Sequence, residues 1–169
     1  MSKIKNIRQH DSRDCGAACL CMISEYYGAK YSIQYLSKLL CINQEGASIW
    51  GIIEGAKKIG LSAVSYKGAI EKLKKFTKEK KEPFILHLKK NHFVVISKTD
   101  KTKVKVNDPA YGNYMLTWEE LEKEWSGYII TFSVNDDFKE GNYKENKYEI
   151  FRTIIKKIRN ICYGVLAYQ

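Results

Sequence analysis

No run of about 18 or more apolar residues occurs in this chain of 169 residues, so no segment is expected to span a bilayer. The first residues, Met1-Ser2-Lys3-Ile4-Lys5, hold no apolar signal stretch, and the five cysteines are an odd number. Both facts favour a reducing, cytosolic setting over secretion. Metal-ligand spacing is missing too. Cys19 and Cys21 stand two apart on an expected helix and point in different directions, and no C-x-x-C or H-x-x-x-H pair accompanies Cys15 and Cys19. There is no helix-turn-helix, zinc-finger spacing or aromatic RNP-like strand, so nucleic acid is not an expected partner even at a net charge of +10. The stretch Gly55-Ala56-Lys57-Lys58-Ile59-Gly60-Leu61-Ser62 has the outline of a P-loop without the lysine after its second glycine. It also lies inside a helical pattern, where a P-loop follows a strand. Nucleotide binding is rejected there.

What is present describes a globular chain. Hydrophobic residues make up 44% and aromatics 12%, enough for one domain with a real core. The positive charge is scattered except for Lys72, Lys74, Lys75, Lys78, Lys80 and Lys81, which read as the solvated face of a helix. An anionic membrane surface or an acidic peptide would be drawn to such charge.

The first half reads as helices. Asp14 is placed to cap one that carries Ala18, Cys19, Met22, Ile23 and Tyr26 on a core-facing side and stops at Gly28. Ser32 caps a second with Ile33, Leu36, Leu39 and Leu40, and Ser48 a third from Ile49 to Ile59, ended by Gly60. A short strand at 62–66 and a basic helix at 69–77 follow. The second half reads as strands: 84–89, with Phe84, Leu86 and Leu88 on one face; 92–98, after a turn at Lys90-Asn91; 103–108; and 128–134. Pro109, Gly112 and Asn113 mark a loop, and Thr117-x-x-Glu120 is a capping box opening a short helix through Trp125. Helices first and an antiparallel sheet second is an α+β layout.

Chemistry concentrates in a few of these residues. Cys15 falls in the first turn of the first helix, where free backbone N–H groups and the positive end of the helix dipole favour a thiolate. A buried core cysteine is the plainer explanation of the same residue. Gln9, on the loop leading into that helix, has a side-chain amide able to donate to charge developing beside the sulfur, as an oxyanion-hole group does. His92 begins one strand and Asp108 ends the next, and in antiparallel neighbours those two ends lie side by side. An Asp–His hydrogen bond is therefore natural, and if the Cys15 helix packs on this sheet the imidazole reaches the sulfur. That is the nucleophile–base–orienter arrangement of a cysteine hydrolase. Plainer roles exist here also, His92 as a hairpin cap and Asp108 before Pro109 as a turn residue. His10, on the loop near Cys15, and His87, mid-strand, compete for the base role.

Taken together, Gln9-x5-Cys15-Gly16, His92-Phe93-Val94-Val95, Asp108-Pro109-Ala110-x-Gly112 and Trp125-x-Gly127 resemble the bacteriocin-processing cysteine peptidase domain found at the N-terminus of peptidase-containing ABC transporters. The resemblance covers about residues 1–134. It implies a papain-like fold, a place on the cytoplasmic side of the cell membrane, and removal of leader peptides after a double-glycine motif as the cargo is exported. It also implies roles: Cys15 as nucleophile, His92 as general base, Asp108 as its orienter, and Gln9 with the backbone N–H of Cys15 as oxyanion donors. The implied partners are the leader of a precursor peptide and the membrane and nucleotide-binding domains of a transporter. No cofactor is expected in this chain, ATP belonging to the transporter's nucleotide-binding domain.

Beyond the peptidase-like stretch, 135–147 reads as a linker and 148–169 as a basic amphipathic helix. Its apolar residues Ile150, Ile154, Ile158, Ile161 and Val165 recur at helical spacing among Arg152, Lys156, Lys157 and Arg159. Two placements suit it: on the membrane surface ahead of a transporter's first spanning helix, or docked on its own domain. Three functions stand beside one another. The first is a leader peptidase. The second is a leader-binding module that does not cleave, although such modules lack the cysteine that is present here. The third is another Cys-His-Asp hydrolase or acyltransferase, which rests on fold analogy alone.

Overall fold

The computed structural model describes residues 4–144. The helix expected over 148–169, and Cys162 with it, lies outside the described residues. The first element, α1 (Cys15–Tyr26), is built from small and medium apolar side chains, and every residue from Cys15 to Ser24 is buried. The periodicity predicts one core-facing side, but the helix is enclosed all round, as a helix apolar on every face must be. Small residues permit the close approach. A Cβ on Gly16 would stand 2.5 Å from the Ala47 Cβ, a distance no packed side chain tolerates. Asp14 occupies the cap position as expected, yet its side chain caps nothing. Its Oδ1 accepts from Ser37 Oγ at 3.0 Å and ties the helix start to a neighbouring helix. Gly28, at φ +101°, lies just past the helix end.

The serine caps are as predicted. Ser32 Oγ accepts from Tyr35 N at 3.2 Å to open α2 (Ile33–Leu39), and Ser48 Oγ accepts from Gly51 N at 2.9 Å to open α3 (Ile49–Lys58). Gly55 lies inside α3, where a Cβ would meet Leu40 Cδ1 at 2.6 Å. Gly60, at φ +80°, then turns the chain into β2 (Leu61–Lys67). The stretch 55–62 is therefore helix followed by strand, the reverse of a phosphate-binding loop.

α4 (Ile70–Glu79) buries Ile70, Leu73 and Thr77 and leaves most of its lysines in solvent. The strands β2, β3 (Phe84–Leu88), β4 (His92–Thr99), β5 (Lys103–Asp108), β6 (Gly112–Thr117) and β7 (Trp125–Val134) form one antiparallel sheet in the order β2-β7-β3-β4-β5-β6. Phe84, Leu86 and Leu88 share a face as expected, and they join Val94 and Ile96 under α4 and α5 (Trp118–Glu124). The opposite face is buried as well, with Ile85, Phe93, Val95 and Ile130 packed beneath α1, α2 and α3. A sheet covered on both sides reads as continuous apolar runs, as Phe93–Ile96 does. The capping box at Thr117 and Glu120 opens α5 as predicted.

Three stretches differ from expectation. The turn after β5 is confined to 109–111, and Gly112 (φ +97°) and Asn113, expected as loop, open β6 in register with Asp108 and Asn107. Turn-type residues at the head of an edge strand hide it from pattern reading. β7 begins at Trp125 and not Tyr128, with a left-handed Gly127 (φ +93°) and a register shift against β3 between Leu86 and Leu88. The expected linker is, over 135–144, held to the domain. Asn135 N donates to Gly60 O at 3.0 Å, and β8 (Gly141–Asn142) pairs in parallel with β1 (Ala29–Lys30). Tyr143 stacks on Tyr31 with ring centroids 4.8 Å apart. Among the described residues no helix is long and apolar enough to cross a membrane.

Candidate active site

Three elements meet at one end of the sheet. α1 packs on β4, so its first residue, Cys15, comes to the strand that His92 opens. β5 runs antiparallel to β4 and ends on Asp108, which brings the carboxylate beside the imidazole. The contact expected from the strand order is present: His92 Nε2 lies 2.9 Å from Asp108 Oδ1. Nδ1 is the ring nitrogen left for the sulfur, and the Cys15 side chain is near enough to the same imidazole to raise its pKa.

Electrostatics favour a charged ring. Burial works against the imidazolium, but the hydrogen bonds to Asp108 and Cys15 and the negative charge of both outweigh it, and the His92 pKa is pushed up to about 9. Asp108 is nearly sealed, its side chain 1% exposed. Burial would raise its pKa, yet the His92 hydrogen bond, the Ala110 N–H, the His92 charge and the Tyr111 N–H together hold it below the usual carboxylate value. Oδ1 accepts from Ala110 N at 2.7 Å and Tyr111 N at 3.2 Å as well as from His92. One oxygen thus both closes the turn and bonds the imidazole. Tyr114 Oη donates to the other, Oδ2, at 3.1 Å.

Gln9 arrives by its backbone. Residues 6–9 lie along the turn after β5. Asn6 Nδ2 donates to Asp108 O at 3.0 Å, Arg8 Nη1 to Ala110 O at 2.9 Å and Gln9 N to Pro109 O at 3.1 Å. The Gln9 Oε1 is buried with no hydrogen-bond partner among the described residues, so the acceptor side of the amide is not used by the fold. The Asn6 and Arg8 contacts span 102 residues of sequence and carry no local signal, and the parts played by Asn6, Arg8 and Tyr114 were not legible in advance.

The competing residues are engaged elsewhere. His10 is exposed, its Nδ1 3.0 Å from Gln34 Nε2. His87 has both ring nitrogens occupied, Nδ1 with Ser126 Oγ at 2.8 Å and Nε2 with Asn91 Oδ1 at 3.2 Å. Cys19 Sγ donates to Phe93 O at 3.2 Å, and burial above all pushes its thiol well up. Burial pushes Cys21 up to about 12. Cys41 is exposed.

Comparison with known proteins bears on the domain as a whole. The Peptidase C39 family model matches residues 3–137. The lactococcin-G-processing and transport ATP-binding protein LagD of Lactococcus lactis subsp. lactis is 30% identical over 96% of this chain and 24% of its own length. The transport/processing ATP-binding protein ComA of Streptococcus pneumoniae is 28% identical over 94% of this chain and 23% of its own. The chain thus spans about a quarter of the length of these relatives. Among solved structures, the peptidase domain of Streptococcus ComA superposes with a TM-score of 0.73 at 30% identity, covering 79% of this chain and 100% of that one. A double glycine motif protease from an AMS/PCAT transporter, solved with its leader peptide, gives 0.72 at 29% identity, covering 79% and 93%. Matched over most of its length, with the fold of those cysteine peptidase domains, the chain belongs to the Peptidase C39 family.

Proposed function

We propose that this domain is a cysteine endopeptidase that removes the leader from precursor peptides after a double-glycine motif, on the cytoplasmic side of a membrane and in step with export by an ABC transporter. The observation that carries the chemistry is the His92–Asp108 pair at 2.9 Å, with Cys15 the ring's other neighbour. The Cys15 thiol passes its proton to His92, and the sulfur attacks the carbonyl carbon of the second glycine. The oxyanion takes hydrogen bonds from the Gln9 amide and from the Cys15 N–H at the open start of α1. As the tetrahedral species collapses, the C–N bond breaks, and the imidazolium protonates the nitrogen of the leaving cargo. A thioester to the leader remains. Water, deprotonated by His92, then frees the leader carboxylate and restores the thiol. Asp108 keeps the ring oriented throughout. Cys15 speaks against a non-cleaving module.

Glycine offers almost no surface to bury, so affinity must come from the rest of the leader. Relatives named for bacteriocin processing, and a neighbour solved with a leader peptide, support recognition of the leader. We take it to lie as an amphipathic helix in a groove. The net charge of +10 favours acidic residues on that leader. Synthetic precursors ending their leaders in Gly-Gly or Gly-Ala, read by mass spectrometry, test the proposal. One cut after that pair is expected. A short peptide spanning only the bond should be cut very poorly, and a leader of about twenty residues should restore cleavage. Equal cutting of both would favour a general cysteine hydrolase.

A further inference from the structure

Orientation of His92 depends on where Asp108 points. Rotation of a carboxylate about its Cβ–Cγ bond moves both oxygens at once, so each hydrogen bond to either oxygen resists it. Oδ1 is held by the Ala110 and Tyr111 N–H groups in addition to His92, and a bond at the other oxygen adds a further restraint on the plane of the group. Oδ2 is the handle on that plane, and its partner is the Tyr114 hydroxyl at 3.1 Å. Tyr114 is well placed to hold it. It stands on β6 opposite Val106, and its half-buried ring packs against the apolar cluster that contains Val104 and Val106. The hydroxyl therefore arrives from a fixed ring and not from a flexible surface side chain.

We propose that Tyr114 is a positioning residue of the peptidase: its hydroxyl locks the Asp108 carboxylate in the plane that serves His92. The assignment rests on the peptidase reading above and extends it to a residue outside the Gln–Cys–His–Asp set. Burial first, then the neighbouring Asp108 charge and hydrogen bond, push the phenol above its ordinary pKa, so the group stays a donor wherever Asp108 is ionised. A hydrogen bond to an ionised oxygen is of the stronger kind, so its loss should be felt in turnover.

Tyr114→Phe keeps the ring and removes only the hydroxyl, and it is tested in the whole chain with a precursor peptide. Loss of a charge-assisted hydrogen bond should lower kcat by about tenfold while KM stays within about twofold. The decisive measurement is a double-mutant cycle. In an Asp108→Ala background the carboxylate is gone, and Tyr114→Phe should then change the residual kcat by less than about twofold. Iodoacetamide labelling of Cys15, which needs no peptide substrate, should show the same dependence on background. A tenfold loss that persists without Asp108 would assign the hydroxyl to the fold and overturn the proposal, as would a wild-type kcat in Tyr114→Phe alone. A wild-type rate in Asp108→Ala would overturn the peptidase reading itself and Tyr114's role with it.

Discussion

Cys15 and Cys19 lie one turn apart on α1, share a side of the helix and are both buried, at 3% and 0% exposure. Their neighbours separate them. The first turn faces the His92 ring, which holds its proton up to about 9. The second turn faces the backbone of the next residue, Phe93, whose carbonyl takes the Cys19 S–H. Burial, then the negative charges expected at Cys15 and Asp108, penalise a Cys19 thiolate. On the proposed function, one helix thus carries a sulfur set for chemistry and a sulfur set as a strut between helix and strand. The difference lies in what each sulfur touches, since residue type and burial are alike.

The comparison breaks most sharply at Cys15 itself. Cys15→Ala and His92→Ala should each remove nearly all turnover, a loss of about six orders of magnitude where a nucleophile or base acts as part of a unit. Iodoacetamide and peptide mapping sharpen the contrast: Cys15 should be labelled well before Cys41, and Cys19 and Cys21 only on unfolding. Early labelling of Cys19 with Cys15 inert would reverse the roles.

Asp108→Asn comes next. It should leave a measurable remnant, about four orders of magnitude below wild type, because the residue orients the ring without exchanging the proton. The pH profile gives the sign. With His92 raised from 6.5 to about 9, kcat/KM should hold through neutral pH and fall above about 9. Asparagine removes the charge that holds the imidazolium, so this limb should move to lower pH. Stability follows the same linkage. The raised pKa contributes stability that is complete below 6.5 and is lost as the pH rises through about 9, so thermal melts of wild type and Asp108→Asn should draw together across that window. Gln9→Ala should lower kcat by roughly two to three orders of magnitude with little change in KM, the usual effect of losing one oxyanion donor. A wild-type kcat would remove Gln9 from the site.

Local signals made much of this legible. Ser32, Ser48 and the Thr117–Glu120 box declare their helices within four residues, and the Asn91 turn declares the hairpin that presents His92. The strand order then put His92 beside Asp108. What stayed hidden is long-range. Gln9 is positioned through Pro109, and Asn6 and Arg8 reach across 102 residues to the same turn. β6 begins with Gly112 and Asn113, residues that read as loop, and so Tyr114, two residues into that strand, was not placed against Asp108. The burial of α1 on every side also depends on partners such as Ala47 and Ile52 that no window of the sequence contains.

The smallest expected effect tests the strut. Cys19 has no exposure, and its S–H is bonded to Phe93 O at 3.2 Å. Cys19→Ala deletes the sulfur's packing and leaves that carbonyl without its side-chain partner, which should cost about 1–3 kcal/mol. Thermal unfolding should register this as a midpoint several degrees lower. The carbonyl belongs to the residue after His92, so some loosening of the ring is expected, but kcat should stay within about threefold of wild type. Cys19→Ser keeps a donor at the same place and should recover part of the lost stability. Cys21 makes a longer contact, 3.6 Å to Tyr31 O and not to the His92 strand, and Cys21→Ala should leave kcat unchanged. If Cys19→Ala abolished turnover in a chain that still melts cooperatively near the wild-type midpoint, the second sulfur would belong to the chemistry, and the division between the two turns of α1 would fail.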